Sequence, residues 1–224
     1  MVGREYHTST YTRKARGHLI KKSPQPFLPY GRQKIEADDI ASVTSVLTSD
    51  FLTTGPTVDD FEVAFAEKIG AKHAVACSSG TAGLHIAAMA LELMPDCIAV
   101  VPTLTFLATA NVVRFVGAEV VFSDVSAETG LMRPEDLEIV LNGPHGSKAK
   151  VVFPVHLNGQ CADMVEISRL ALKQGLAVVE DACHALGTCY FNGTKRVIVG
   201  ACQHSDMTVF SLHPVKTVTA GEGG

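Results

Sequence analysis

The sequence predicts an α/β fold, with a mostly parallel sheet lying between helices. Three observations predict it. Short apolar runs rich in β-branched residues recur along the chain, at 73–77, 98–102, 119–122, 151–155, 177–180 and 208–210. Stretches of helical periodicity separate several of them, near 81–94, 106–116, 134–142 and 162–174. The runs are continuously apolar instead of alternating, as expected for strands covered on both faces.

The elements follow in order. Ile40, Val43 and Leu47 share one helical face, and so do Val58, Phe61, Phe65 and Ile69. Between them Gly55-Pro56 marks a turn. The helix near 134 opens with Pro134, Glu135 and Asp136, a proline at the first position and acids against the positive end of the helix dipole.

Residues 1–27 differ. Arg4, Arg13, Lys14, Arg16, Lys21 and Lys22 face a single acid, Glu5, and Pro24 and Pro26 close the segment. The expectation is a disordered basic tail ahead of one domain over 28–224; an organelle transit peptide is the alternative. Over its 224 residues the chain is 46% hydrophobic, enough for a sizeable core, and its net charge of −4 gives no reason to expect a nucleic-acid partner. No uninterrupted apolar run reaches the roughly 18 residues of a membrane span. Cys77, Cys97, Cys161, Cys183, Cys189 and Cys202 form no Cys-x-x-Cys pair. They read as reduced thiols in a reducing compartment, with a cytoplasmic location. The grouping Cys183, His184, Cys189 matches no zinc spacing, so no metal site is expected.

Sheets of this kind bind ligands outside the carboxyl ends of their strands, so the polar residues that follow each run carry the functional reading. Ser78-Ser79-Gly80-Thr81-Ala82-Gly83 follows a strand and opens a helix. Gly80 lacks a Cβ and lets a ligand approach the backbone, and free N–H groups at a helix start suit a phosphate; an ordinary serine N-cap explains the motif equally well. Asp181 ends the run at 177–180, where a carboxylate is costly without a partner; a cationic ligand group such as a protonated pyridine nitrogen would serve, and so would a helix cap. Lys216 lies after the run at 208–210, in a stretch almost without charge, where desolvation makes an amine nucleophilic towards an aldehyde.

With these residues in place, the chain resembles the fold-type I, pyridoxal-phosphate-dependent sugar aminotransferases of the DegT/StrS type. The resemblance runs from about Pro29 to Gly224. It is carried by Pro29-Tyr30-Gly31-Arg32-Gln33, Phe51-Leu52-Thr53-Thr54-Gly55-Pro56, Ser78 to Ala82, Glu180-Asp181-Ala182-Cys183-His184-Ala185-Leu186-Gly187, Val209 to Lys216, and Gly221 to Gly224. Within that family the opening motif and the His213-Pro214-Val215-Lys216 loop look most like transaminases that make UDP-4-amino-4,6-dideoxy-N-acetyl-altrosamine for pseudaminic acid.

The resemblance implies an aspartate-aminotransferase-like large domain and pyridoxal 5′-phosphate as cofactor. It gives Lys216 the Schiff-base lysine's role and the movement of the substrate proton. It places Asp181 on the pyridine nitrogen and His184 near the ring hydroxyl, gives the phosphate to Gly80, Thr81, Ala82 and Ser211, and stacks Phe106 on the ring; His156 lines the site. Glutamate and a 4-keto-6-deoxy sugar nucleotide are the implied substrates, with a homodimer as the complete enzyme and no membrane partner. Family members continue well past Gly224, so the last sheet strand and the small domain are expected to be missing. The strand at 73–77 would then lack a neighbour, and folding, solubility and activity of the isolated chain would be weak. A non-catalytic cofactor-binding relative and an inactive fragment remain the alternatives.

Overall fold

A computed structural model describes residues 11–13, 19–21, 29 and 31–224. It divides the chain into two units, one ending at Arg32 and one running from Gln33 to Gly224. In the first, β1 (Tyr11–Arg13) and β2 (Leu19–Lys21) pair antiparallel. Apart from these two short strands, the reading of 1–27 as a tail lies outside the described residues.

The second unit is built on a five-stranded, all-parallel sheet of β3 (Ile98–Pro102), β4 (Glu119–Ser123), β5 (Ala149–Val152), β6 (Ala177–Asp181) and β9 (Met207–Val209). Their order is β4-β3-β5-β6-β9. Period-two alternation sends Ala99, Val101, Val151, Phe153 and Val179 into one buried cluster and Val100, Val152 and Val178 into another. Helices α3 (Gly80–Ala90) and α4 (Leu107–Phe115) close the first face. Helices α5 (Pro134–Asn142) and α6 (Met164–Gln174) close the second. Covering on both faces is why these strands read as unbroken apolar runs.

Two helices precede the sheet. In α1 (Ala37–Leu47) no residue is buried, and Ile40, Val43 and Leu47 are all exposed. Helix α2 (Pro56–Ile69) begins with proline at its first position and ends on Gly70, whose φ of 77° forms a left-handed cap. Its Ala66 and Ile69 are buried.

The structure corrects one element. Residues 73–77 form no ladder strand. Among the described residues only Cys77 finds a main-chain partner there, exchanging both hydrogen bonds with Gly224 at 2.9 and 3.0 Å, while the N–H of Ala76 donates to the Glu62 carboxylate at 2.7 Å. A groove of about 600 Å³, lined by Phe61, Phe65, Ile86 and Met207 among others, runs along this segment and β9. A further hairpin was not expected: β7 (Cys189–Asn192) pairs antiparallel with β8 (Lys195–Ile198) across a two-residue turn in which Gly193 has a φ of 59°. Among the described residues no helix is long and apolar enough to cross a membrane, and all six cysteines are free thiols.

The topology places the site. The chain leaves β3 for β4 on one side, then returns to β5 on the other, so the order reverses beside β3. A crevice outside the carboxyl ends is the expected result at such a point.

Candidate active site

A cavity of about 290 Å³ occupies that crevice. Such a volume lies near the lower end of small-ligand sites, about 300–1,000 Å³. Residues from the start of α3, the ends of β3, β5 and β6, and the loop after β9 converge on it.

The start of α3 forms one wall. Ser79 adopts extended backbone and caps the helix, its Oγ accepting the N–H of Ala82 at 3.1 Å. The N–H groups of Gly80 and Thr81, which line the cavity, have no acceptor among the described residues. Unpaired donors and the positive end of an 11-residue helix together favour an anion here. The motif is therefore both a serine cap and an open donor pair. Ala82 is the exception among the expected phosphate contacts: it does not line the cavity, and its N–H is already held by Ser79.

Gly80 is needed for packing. A Cβ there would meet Cys183 Sγ at 2.8 Å and Ser211 Cβ at 2.9 Å. Both neighbours line the cavity, so Gly80→Ala is expected to spread the wall and to cost about 1–3 kcal/mol. A lowered urea midpoint with an unchanged m-value would register it; a midpoint equal to wild type would show that the wall yields freely.

Asp181 ends β6 and is 4% exposed. Its Oδ2 accepts the Thr109 hydroxyl at 2.6 Å, and its Oδ1 accepts the Cys183 N–H at 3.2 Å. Thr109 sits in α4, 72 residues away in sequence, and sequence reasoning missed it. Burial and the Asp181 charge push the Cys183 thiol up, so it stays protonated.

Three further side chains face the same space. Lys216 is half-buried in the turn after β9, where its N–H donates to the His213 carbonyl at 2.9 Å. Burial and then the Lys216 charge hold His184 below the usual imidazole range, with Asp181 acting in the opposite direction. Its Nδ1 accepts the Asn158 N–H at 3.4 Å, which leaves the ring proton on Nε2. Phe106, the N-cap residue of α4, lines the cavity yet is 67% exposed, an apolar ring with an open face. Ser211 and His156 complete the expected set, and Glu222 and His213 join it without having been predicted.

Of the predicted residues, then, Gly80, Thr81, Phe106, His156, Asp181, His184, Ser211 and Lys216 share one cavity. The donor set fits a phosphorylated pyridine aldehyde. Unpaired N–H groups suit the phosphate, a buried carboxylate suits a ring nitrogen, and an amine suits the aldehyde.

The sequence pattern of the DegT/DnrJ/EryC1/StrS aminotransferase family matches residues 33–224. This chain belongs to that family. Solved structures agree. The aminotransferase from Psychrobacter cryohalolentis is 33% identical with a TM-score of 0.78, the match covering 89% of this chain and 48% of that one. A Streptococcus pneumoniae protein described as a sugar aminotransferase, in its PLP form, is 29% identical with a TM-score of 0.80, over 88% and 52%. PseC of Helicobacter pylori, an aminotransferase involved in the biosynthesis of pseudoaminic acid, is 27% identical with a TM-score of 0.74, over 87% and 50%. The expected aspartate-aminotransferase-like, fold-type I architecture thus holds for this member of the family, and the chain spans about half the length of the solved structures it matches.

Proposed function

We propose that this chain supplies the cofactor-holding part of a pyridoxal-phosphate-dependent sugar aminotransferase, one that takes an amino group from glutamate and passes it to a 4-keto-6-deoxy sugar nucleotide. The observation that carries the reading is the meeting of Lys216, Asp181 and the open start of α3 in one cavity. Family membership supports the reaction type.

When bound, pyridoxal phosphate supplies an electron sink for charge developing on a substrate carbon. The chain's own residues supply the rest. The N–H groups of Gly80 and Thr81, with the Ser211 hydroxyl, would hold the phosphate. The Asp181 carboxylate would keep a proton on the ring nitrogen, and Thr109 and the Cys183 N–H hold that carboxylate in place. His184, neutral with its proton on Nε2, would donate to the ring oxygen. Phe106 would cover one face of the ring and exclude water. Lys216 Nζ would hold the aldehyde carbon and then carry the proton between the substrate carbon and C4′.

The narrower reading is a UDP-linked substrate on a pseudaminic acid-type route, in a homodimeric enzyme with a cytoplasmic location. The Pro29-Tyr30-Gly31-Arg32-Gln33 and His213-Pro214-Val215-Lys216 segments support it, with the likeness to PseC.

One experiment tests both levels. Pyridoxal phosphate added to the chain should give a visible absorbance band, glutamate should bleach it, and a UDP-linked 4-keto-6-deoxy sugar should restore it. Failure of the band sinks the cofactor reading. A band that glutamate leaves untouched points to a non-catalytic relative, and restoration only by sugars on another nucleotide overturns the narrower reading.

A further inference from the structure

A second buried carboxylate lies next to Asp181, and the proposed reaction does not use it. Glu180 precedes Asp181 in β6, so its side chain leaves the opposite face of the strand. It is 1% exposed. One oxygen takes the His156 ring at 2.7 Å; the other accepts the hydroxyls of Ser205 and, at 2.9 Å, Thr208.

Among the described residues no lysine or arginine pairs with Glu180, and its one ion-pair partner is His156. The N–H of Ala162 donates to His156 Nδ1 at 3.2 Å, so the ring's proton lies on Nε2 and is given to Glu180. A second ring proton at Nδ1 would face the Ala162 N–H head-on. Burial pushes the Glu180 carboxyl up, but the hydrogen bonds from His156, Ser205 and Thr208 outweigh it and hold the group below its ordinary value. The other titratable neighbours agree. Cys161 is pushed up to about 12 by burial and then by Glu180, and Tyr190 is raised by the same two causes.

Keeping an uncompensated anion in a core costs stability that an apolar side chain would not. Its location suggests what that cost secures. His156 lines the cavity, its N–H donates to the Asp181 carbonyl at 3.0 Å, and the Asp181 N–H donates to the Pro154 carbonyl at 2.9 Å. The Glu180–His156 link therefore ties the loop after β5 to the end of β6, at the point where Asp181 enters the cavity.

We propose that Glu180 is a positioning residue for the site: its hydrogen bond to His156 sets the loop after β5 against the end of β6, and its own fixed negative charge behind Asp181 favours positive charge on a ligand in the cavity. The inference deepens the proposed function and rests on it. An anion one residue along the strand from Asp181 acts across the core with little water between to screen it. It should raise the pH at which the lysine-bound cofactor gives up its proton.

The test is a pH titration of the visible band in the cofactor-loaded chain. Glu180→Gln keeps the shape and removes the charge, so the midpoint should fall by about one pH unit. Glu180→Asp returns the charge and should recover most of the shift. His156→Asn keeps the Glu180 charge, so it should weaken cofactor binding with the midpoint unmoved. The cavity's other titratable groups, Asp181, His184, His213, Cys183 and Glu222, are the same in all three variants. An unchanged midpoint in Glu180→Gln, or equal shifts in Glu180→Gln and His156→Asn, would reduce the network to a packing role and overturn the proposal. Nitrogen-15 NMR of the wild-type chain without cofactor reads the charge state independently. A His156 ring protonated on Nε2 alone at pH 6–8 supports the uncompensated anion, and protonation at both nitrogens refutes it. Because that measurement needs no cofactor, absence of a visible band would sink the functional reading and leave this result standing as a separate one.

Discussion

Replacing Lys216 with alanine is expected to abolish the visible band that pyridoxal phosphate forms with this chain, leaving the absorbance of the free aldehyde. Lys216 is the only lysine lining the cavity among the described residues, and it shares that cavity with Asp181 and the start of α3. No other amine there can take its place. Weak binding should survive in Lys216→Ala, because the Gly80 and Thr81 N–H groups and the Asp181 carboxylate are untouched. Lys216→Arg sharpens the test. It retains the positive charge that His184 senses, but a guanidinium does not lose its proton and cannot condense with an aldehyde. Both variants should lose the band. Under the proposed roles, which give Lys216 both the aldehyde and the moving proton, amine transfer from glutamate should fall by at least about 10³-fold. A visible band in Lys216→Ala would mean that the cofactor is held elsewhere.

Much of this was legible because parallel strands covered on both faces leave a local trace. The Ile98–Pro102 run and the Pro134–Asn142 helix fall where periodicity puts them, since β-branched continuity and an opening Pro-Glu-Asp act over a few residues. The ends of the strands then pointed to Ser79 through Thr81, Asp181 and Lys216. What sequence did not show depends on distant partners. Residues 73–77 have strand-like composition, but a strand is made by its neighbour, and only Cys77 has one. Thr109 reaches Asp181 through a contact set by the packing of α4 against the sheet, which no spacing encodes. The pairing of His156 with Glu180 likewise follows from the β5–β6 alignment, where Val155 bridges Asp181. The β7–β8 hairpin is a different case: Asn192-Gly193 is a turn signal in plain view, and its flanking strands, which carry Asn192, Lys195 and Arg196, are too polar to register as apolar runs.

The second large effect is expected at Asp181, where two substitutions separate charge from structure. In Asp181→Asn the side chain keeps its size. One oxygen remains for the Cys183 N–H, and the Thr109 hydroxyl can turn to accept where it now donates. Stability should therefore stay within about 1 kcal/mol of wild type. The negative charge is gone, however, and with it the group proposed to keep a proton on the ring nitrogen. An unprotonated ring withdraws electrons less well, so the glutamate half-reaction should slow by about 10²–10⁴-fold while the Lys216-dependent band still forms. Asp181→Ala removes the acceptors as well. The Cys183 N–H then loses its acceptor, at about 1–3 kcal/mol, while the Thr109 hydroxyl still has the Phe106 carbonyl at 3.2 Å. Urea midpoints and stopped-flow bleaching of the band read the two effects apart. If Asn and Ala lose stability equally, Asp181 is chiefly a packing residue; if Asn reacts with glutamate at the wild-type rate, its charge does not govern the ring. The expected pattern, a stable but slow Asn variant beside an unstable Ala variant, arises only if the carboxylate serves the fold through its oxygens and the ligand through its charge.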